Sequence, residues 1–379
     1  EAFRQGLEAA AAGSLNAFEG HASLLDSEKV KNPIAAERHD FDAKTYLGDK
    51  GLRNFDRLTK MLIVSAKLAL DNAGLKENGV HKVTPDRIGV CSATAYGSLE
   101  AITEAVQVTE LEDPRFLNPN RFPNTVINAA AGYVSIWEDL RAPNVTVVDG
   151  NCGALDAVLN SQTHIASGRA DAFLVGGGEA LSEPLYIAFR KLDVIAEGAR
   201  VFAPGRRDSQ GMRLGEGSAY LALEKSEHAK RRNATIRAEV VGYGNAFEPP
   251  ESEALLVHVS PAAVERAVRM AMTDAGLSAS DISLVVSAAS GISHFDAAEL
   301  VGVEAAIGSS TPIVAPKAIL GETFGASGAL AMACALSWIE GTKLPPLLAG
   351  KPKERLDHVL VLAVGYYGNA SAVILRTPR

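Results

Sequence analysis

Cysteine is scarce in this chain, and histidine is scattered. The 379 residues include three cysteines, Cys91, Cys152 and Cys334, which lie far apart. An odd, dispersed count excludes a disulfide framework and a CxxC metal site. The eight histidines have no ligand spacing either; they are His21, His39, His81, His164, His228, His258, His294 and His358. We therefore predict reduced thiols and no metal or other cofactor.

Long apolar runs and clusters of one charge are also missing. No stretch is long enough to span a bilayer, and no signal peptide is visible. The net charge is −8, without the Lys and Arg clusters that a nucleic-acid surface needs. With 47% hydrophobic and 22% charged residues, the composition is that of a globular protein with a large core. These features predict a cytoplasmic protein whose partners are small molecules or other proteins.

What the sequence does contain is an alternation of short apolar runs with helical periodicity. Buried strands are predicted at Arg87–Ser92, Val145–Val148, Ala172–Val175, Ile282–Ser287 and Val359–Val364. Helices are predicted at Leu58–Ala73, Ala154–Ser167, Ala262–Ala275 and Gly325–Ile339, and a further helix-like run opens the chain at Glu1–Ala12. Strands that alternate with helices indicate an α/β fold in which a mostly parallel sheet is covered on both faces.

The chain also contains an internal repeat. Ser65–Leu75 and Ala267–Leu277 are both helices that stop at Ala-Gly-Leu, and each precedes an apolar strand. Val147–Leu159 and Ile313–Leu330 both run from a strand through a turn of small residues into an Ala-rich helix. Two correspondences in the same order indicate a duplicated half. We predict halves at 1–230 and 231–379, joined near the polar stretch 224–234.

One cysteine occupies a position where nucleophiles are common. In D-G-N-C-G-A-L-D-A, Cys152 lies between a predicted strand and a predicted helix. Unpaired N–H groups and the helix dipole at such a turn lower a thiol pKa and can hold an oxyanion. A lone cysteine is more often a small buried apolar residue. Position alone leaves both interpretations open, because a nucleophile also needs a partner group.

Three later stretches carry further candidates. Ala288–Glu299 follows a strand and offers Ser290, His294, Asp296 and Glu299, of which the two acids can also serve the dipole of a helix. Pro316–Leu330 contains Lys317 and Glu322, which could form an ordinary ion pair. Val359–Leu375 contains a glycine-flanked Tyr-Tyr turn, either a hairpin or a loop that reaches into a site.

Taken together and in order, several motifs resemble the condensing enzymes of the thiolase fold, the β-ketoacyl-carrier-protein synthases. The motifs are F-D-A-K-T-Y-L with R-N-F-D-R-L-T-K (Phe41–Lys60), A-P-N-V-T-V-V-D (Ala142–Asp149), G-R-A-D-A-F-L-V-G-G-G-E-A (Gly168–Ala180), L-G-E-G-S-A (Leu214–Ala219) and G-T-K-L-P-P (Gly341–Pro346). The resemblance implies a duplicated αβαβα five-layer sandwich, in agreement with the repeat. The family's opening strand has no match, so the first strand is apparently missing from the N-terminal half.

The same resemblance implies a degenerate active site. Active members use a Cys nucleophile and two His, which assist decarboxylation and stabilise the enolate. Ser290 replaces the first His, in S-G-I, and Glu322 replaces the second, in G-E-T-F-G-A-S-G. Lys317 and Glu299 match the supporting Lys and acidic residue. A carboxylate at position 322 would repel an enolate in a low-dielectric site.

The nucleophile position itself depends on the register of one turn. Counted back without a gap from Leu155–Val158, Asn151 takes the nucleophile position and Cys152 lies one residue beyond it. Cys152 would need a one-residue deletion, and one residue is a rotation of about 100° on a helix. G-N-C-G-A-L-D-A resembles chain-length factors, the ketosynthase-like subunits of type II polyketide synthases, which carry Gln there and continue with "GGLDA".

Three functions follow as hypotheses. The first is a non-condensing, chain-length-factor-like subunit. It would pair with an active ketosynthase α subunit, and the pair would work with an acyl carrier protein that holds the chain on phosphopantetheine. This subunit would shape the tunnel for an aromatic-polyketide or polyene chain, with Phe122 and Tyr366 as candidate tunnel residues. The second is a divergent synthase or acyltransferase that uses Cys152. The third is a non-catalytic scaffold that docks a carrier protein.

Overall fold

The strands and helices follow the predicted alternation closely. The computed structural model describes residues 1–378 except 15, 19–21, 26–27, 31 and 253–256; His21 therefore lies outside the described residues. The described strands are β1 Ala35–Ala36, β2 Lys76–Glu77, β3 Val80–His81, β4 Ile88–Ala93, β5 Asn144–Val147, β6 Ala172–Glu179, β7 Leu214–Gly215, β8 Gly217–Glu224, β9 Glu239–Phe247, β10 Leu284–Val286, β11 Ile313–Val314, β12 His358–Val364 and β13 Asn369–Arg376.

The helices that accompany these strands differ from the predicted bounds by a few residues. They are α1 Ala2–Ala11, α2 Lys44–Leu47, α3 Arg57–Asn72, α4 Leu99–Leu111, α5 Ala129–Glu138, α6 Gly153–Ala166, α7 Glu183–Lys191, α8 Ser226–Arg231, α9 Pro261–Ala275, α10 Ser293–Ile307, α11 Lys317–Leu320 and α12 Ser327–Ile339. The stretch predicted as a helix from Gly325 begins as a 3₁₀ turn, Phe324–Ala326, and only then becomes α12.

Two main sheets share one topology. The first has the order β5-β4-β6-β8, with β8 antiparallel to three parallel strands. The second has the order β11-β10-β12-β13-β9, in which β11, β10 and β12 are parallel and β13 is antiparallel to β12. The first sheet is built from the chain before residue 225 and the second from the chain after 238. This arrangement supports the division at 230/231, which we keep as a proposal.

Helices cover both sheets and fill the space between them. α6 and α12 contact each other and strands of both sheets, so they form the central layer. α3 and α5 pack on the outer face of the first sheet, and α9 lies on the second with α10 against it. The result is the thiolase-like αβαβα sandwich that the resemblance implied. Among the described helices, none combines the length and the apolar character that a membrane span requires.

The central layer determines where a site can form. The turn from β5 into α6 and the turn from α11 into α12 both open at the carboxyl ends of parallel strands, where ligands usually bind in α/β folds. The β12–β13 hairpin, with Tyr366 in its turn, closes over the same place. The Tyr-Tyr turn is thus a hairpin that also reaches into the candidate site.

Candidate functional site

Glu322 is the centre of a buried polar cluster. It lies between α11 and α12 and is fully shielded from solvent. Lys317 Nζ lies 2.7 Å from Oε2, and the Tyr366 hydroxyl donates to the same oxygen at 2.8 Å. The Ser327 hydroxyl and the Phe324 N–H donate to Oε1 at 2.8 Å and 2.9 Å. The predicted pairing of Lys317 with Glu322 is confirmed, and the Asn151 amide donates to the same carboxylate as well.

These donors keep Glu322 ionised. Burial alone would raise the pKa of the Glu322 carboxyl, but the charge and hydrogen bond of Lys317, with the other donors, hold it below its usual range. The pKa of Tyr366 is raised far above that of free tyrosine, by burial first and then by the Glu322 charge. The phenol therefore stays protonated and remains a donor to the carboxylate.

The side chains of Asn151 and Cys152 point to different groups. Asn151 lies in the 3₁₀ turn Gly150–Cys152, and its amide donates to Glu322 Oε2 at 3.4 Å and to the Val364 carbonyl at 3.1 Å. The Cys152 thiol instead donates to the Ala363 carbonyl at 3.3 Å. Of these two neighbours, Asn151 is the one whose side chain faces the Glu322 cluster. This geometry supports the register that puts Asn151 at the nucleophile position, which stays a prediction.

The Cys152 thiol is poorly placed to ionise. It is completely buried, and burial raises its pKa well above that of a free thiol. The nearby carboxyls of Asp156 and Asp149 raise it further, against the effect of the helix N-terminus. Burial also raises the pKa of Asp156 to about 6, and its Oδ1 accepts from the hydroxyls of Tyr243 and Ser371, each at 2.6 Å. Burial beside acidic groups supports a packing role for Cys152, which stays a prediction.

Ser290 and Glu299 belong to a separate part of the site, at the start of α10. The Ser290 N–H donates to Asp296 Oδ1 at 2.8 Å, while its buried hydroxyl has no hydrogen-bond partner among the described residues. Glu299 Oε1 accepts from the Ser287 hydroxyl and the Ala288 N–H, both at 2.8 Å. No described hydrogen bond joins Ser290 to Asn151 or Glu322. Both α10 acids therefore fix the backbone of the preceding loop rather than the Glu322 cluster.

A small cavity lies beside the cluster. A cavity of about 10 Å³ is lined by Ser287, Lys317, Thr323 and Ser327 with apolar neighbours. A volume of this size holds at most about one water molecule. The cavity is therefore too small for an acyl thioester.

Aromatic rings close the site on the side of Tyr366, a feature that the sequence did not reveal. The Tyr366 ring lies 5.2 Å from Phe295, 5.8 Å from Phe189 and 6.3 Å from Phe324, measured between centroids. Tyr96 joins them at 5.3 Å from Phe324. The five residues come from separate segments of the chain, so no spacing could have indicated them. Phe324 adopts φ +43°, a costly conformation for a bulky residue that its packing must stabilise.

Glu179 is a second buried carboxyl that the sequence reasoning did not single out. It ends β6 and accepts from the N–H groups of Ala95 at 2.7 Å and Gly325 at 3.3 Å. A Cβ on Gly177 would lie 2.5 Å from the carbonyl oxygens of Ala93 and Gly325, so only glycine permits this approach. Glu179 thus ties the turn before α12 to the loop after β4. The sequence signal for this carboxyl was a single acidic residue directly after three glycines.

Phe122 lies away from this cluster. Its side chain is 61% exposed, in the 3₁₀ turn Phe122–Thr125. The structure therefore does not bring the two candidate tunnel residues together within one chain. Among the described residues, no group of three or more His, Cys, Asp or Glu side chains is arranged to hold a metal ion.

The ionisation of Glu299 gives a pH prediction. Burial raises its pKa to about 7, so between about pH 4.5 and 7 the folded chain binds a proton that the unfolded chain has lost. The contribution of Glu299 to stability therefore falls as pH rises through this range. Glu299→Gln keeps the acceptor for Ser287 and Ala288 but cannot ionise. We expect the free energy of unfolding of the variant, relative to that of the wild type, to increase by about 1–3 kcal/mol from pH 5 to pH 8.

Urea unfolding at both pH values measures this effect. Glu354→Gln, at an exposed position, is the control. It should leave the change in the free energy of unfolding between pH 5 and pH 8 as it is in the wild type. If the free energy of unfolding of Glu299→Gln differs from that of the wild type by the same amount at pH 5 and at pH 8, the raised pKa of Glu299 is contradicted.

The motifs and the fold agree with the comparisons to known proteins. The model of the β-ketoacyl synthase N-terminal domain matches residues 16–229, and that of the C-terminal domain matches 237–351. The 3-oxoacyl-[acyl-carrier-protein] synthase 2 of Vibrio cholerae is 30% identical over 347 residues, which cover 89% of this chain and 83% of that protein.

Two solved structures are similar over nearly the whole chain. A β-ketoacyl synthase from Burkholderia phymatum has a TM-score of 0.84 at 25% identity, covering 98% of this chain and 95% of that one. The ishigamide ketosynthase/chain length factor has a TM-score of 0.81 at 25% identity, covering 92% and 89%.

Proposed function

The chain belongs to the β-ketoacyl synthase family, and on that premise we propose that it is a non-condensing, chain-length-factor-like subunit of a type II polyketide synthase. It pairs with an active ketosynthase and helps to shape the tunnel in which the acyl chain grows. The observation that carries this proposal is the Glu322 cluster. At the position of the second His, the chain holds an ionised carboxylate with Lys317, Tyr366, Ser327 and the Phe324 N–H.

Condensation at this cluster is chemically unfavourable. The reaction develops negative charge on an enolate, which needs hydrogen-bond donors, whereas the ionised Glu322 presents acceptor oxygens and already occupies Lys317 in an ion pair. Asn151, which faces the cluster, has a neutral amide that cannot accept an acyl group as a thiolate does. The condensing Cys and both histidines are therefore assigned to the partner.

The alternative that uses Cys152 has less support. Its thiol is buried, its pKa is raised by burial and by two neighbouring carboxyls, and it donates to the Ala363 carbonyl. Acyl transfer needs an accessible thiolate beside oxyanion donors.

An exposed apolar surface supports pairing with a second subunit. Seven large apolar side chains from α4 to the residue after β5 are at least half exposed: Val106, Leu111, Phe116, Phe122, Val126, Ile136 and Val148. Their segments touch one another in series, from α4 through the turn Phe122–Thr125 to α5 and β5. Contiguous apolar surface of this kind marks a protein interface.

The edge of the first sheet lies on the same surface. β5 pairs with β4 along one side only, which leaves a row of backbone groups on its other side for a strand of another chain. We propose that the ketosynthase covers this edge together with the surrounding apolar surface. Phe122 would then face the partner and line a tunnel that both subunits build, which explains its exposure in the single chain.

Co-expression tests the pairing. With an active type II ketosynthase α subunit that carries the Cys and both His, this chain should purify as a stable 1:1 dimer, and condensation should require both subunits. An exposed polar substitution on the apolar surface, Ile136→Glu, should weaken the dimer, because it buries a charge at the interface. Leu24→Glu, at an exposed site outside this surface, is the control. A ketosynthase that is fully active alone and never co-purifies with this chain would contradict the proposal.

A further inference from the structure

The end of α4 combines an unusually exposed apolar side chain with two unpaired acids. Leu111, the last residue of α4, is 80% exposed. Glu110 and Glu112 flank it, are both exposed, and form no ion pair with the part of the chain that the structure describes. We call Glu110, Leu111 and Glu112 the acidic corner.

The acidic corner is unfavourable for the isolated chain. The C-terminal end of a helix carries partial negative charge, so carboxylates there oppose the helix dipole. The last turn of α4 contains no basic residue to offset them. By contrast, Glu104, earlier in the helix, is neutralised by Arg121 at 2.8 Å. The corner is thus the part of α4 that an external cation would stabilise most.

The corner is continuous with the proposed interface. Glu110 follows Val106 by four residues and Ile102 by eight, so the three share one exposed face of α4. The turn Pro114–Phe116, which carries the exposed Phe116, contacts α4 just beyond the corner. A subunit that covers the apolar surface therefore reaches the two carboxylates.

The charge of the surrounding segment argues against a second copy of the same chain. Residues 99–128 contain five acidic and two basic residues, a net charge of −3. In a twofold dimer, each subunit presents the same patch to its copy, so acidic surfaces would face each other. Like charges across an interface disfavour that partner, whereas complementary charges select another.

We propose that the acidic corner selects the partner: a ketosynthase subunit places Lys or Arg side chains against Glu110 and Glu112 and an apolar pocket around Leu111. This inference rests on the proposed function, since it names the chemistry of the partner in the same dimer. The corner discriminates against self-association and increases the rate of pairing with the basic partner. Its contribution weakens as salt screens the charges.

A charge reversal at the corner tests this. Glu110→Lys/Glu112→Lys should remain folded, because lysine suits a helix C-terminus better than glutamate does. Fluorescence anisotropy of the labelled variant, titrated with the ketosynthase α subunit that pairs with the wild type, should show a Kd about tenfold weaker than that of the wild type at low salt. The difference should shrink at high salt. Sedimentation should show increased self-association of the variant.

Glu227→Lys/Glu354→Lys is the matched control. It changes the net charge equally at exposed positions on α8 and before β12, and should leave Kd within about twofold, since distant surface charges are screened. Equal Kd values for the wild type and the corner variant would overturn the acidic corner but leave the proposed function standing. A wild-type chain that binds no ketosynthase would overturn both. A wild-type homodimer that the corner variant disrupts would overturn the selection against self-association.

Discussion

Replacing Lys317 with alanine is expected to destabilise the chain by about 3–5 kcal/mol, because it leaves a buried carboxylate without its cation. Lys317 Nζ lies 2.7 Å from Glu322 Oε2, and both side chains are almost fully buried. Four other groups donate hydrogen bonds to the carboxylate but carry no positive charge: the Ser327 and Tyr366 hydroxyls, the Asn151 amide and the Phe324 N–H. Urea unfolding of the purified chain at pH 8 gives the difference.

The loss should depend on pH in one direction. Without Lys317, burial raises the pKa of Glu322 above its unfolded value, so the folded variant takes up a proton as pH falls. The deficit is then largest at pH 8 and smaller near pH 5. Lys317→Met/Glu322→Gln should recover part of the loss, because it removes both charges.

An exposed pair provides the control for this experiment. Lys67 and Asp71 form an i,i+4 pair on α3 with side chains 36% and 40% exposed. Lys67→Ala should cost less than about 0.5 kcal/mol. A loss below about 1 kcal/mol for Lys317→Ala would show that the Glu322 carboxylate does not depend on this cation.

Condensation by the assembled pair is expected to be insensitive to the residual site of this chain. Cys152→Ala and Asn151→Ala should leave kcat/KM within about threefold, since neither residue touches the reacting atoms in this account. Replacing the nucleophilic cysteine of the ketosynthase partner should lower the rate by about 10⁴-fold or more, as for the loss of other covalent nucleophiles. The readout is malonyl-dependent chain extension by the purified dimer.

The two substitutions in this chain should lower its stability rather than the rate of condensation. Asn151→Ala removes donors to Glu322 and Val364, so a modest loss of stability is expected. Cys152→Ala leaves a small cavity between α6 and β12. If Cys152→Ala lowers the rate of chain extension by more than about 100-fold while the dimer stays folded, Cys152 takes part in catalysis.

The fold was predictable because its signals are local. Apolar runs and helical spacing located β4, β6, β12, α3, α6 and α9 to within a few residues, apart from the longer extent of β6. The repeat predicted a duplicated half, and the two sheets do share one strand order. Helix and strand periods are set by residues close in sequence, so one chain suffices to read them.

The site was predictable only where its partners are close in sequence. Lys317 and Glu322 are five residues apart, and their pairing follows from the turn between α11 and α12. The contact of Asn151 with Glu322 spans 171 residues, and that of Tyr366 with Glu322 depends on the hairpin β12–β13. The aromatic closure comes from the packing of distant elements, which no spacing encodes, whereas the acids beside Cys152, Asp149 and Asp156, are close to it in sequence.

The intact mass of both subunits after incubation with an acyl-loaded carrier protein tests the central claim most directly. The account predicts an acyl adduct on the ketosynthase partner and an unmodified mass for this chain, with wild-type and Cys152→Ala chains behaving alike. An acyl adduct on this chain that disappears in Cys152→Ala would contradict the account, because Cys152 would then be a working nucleophile.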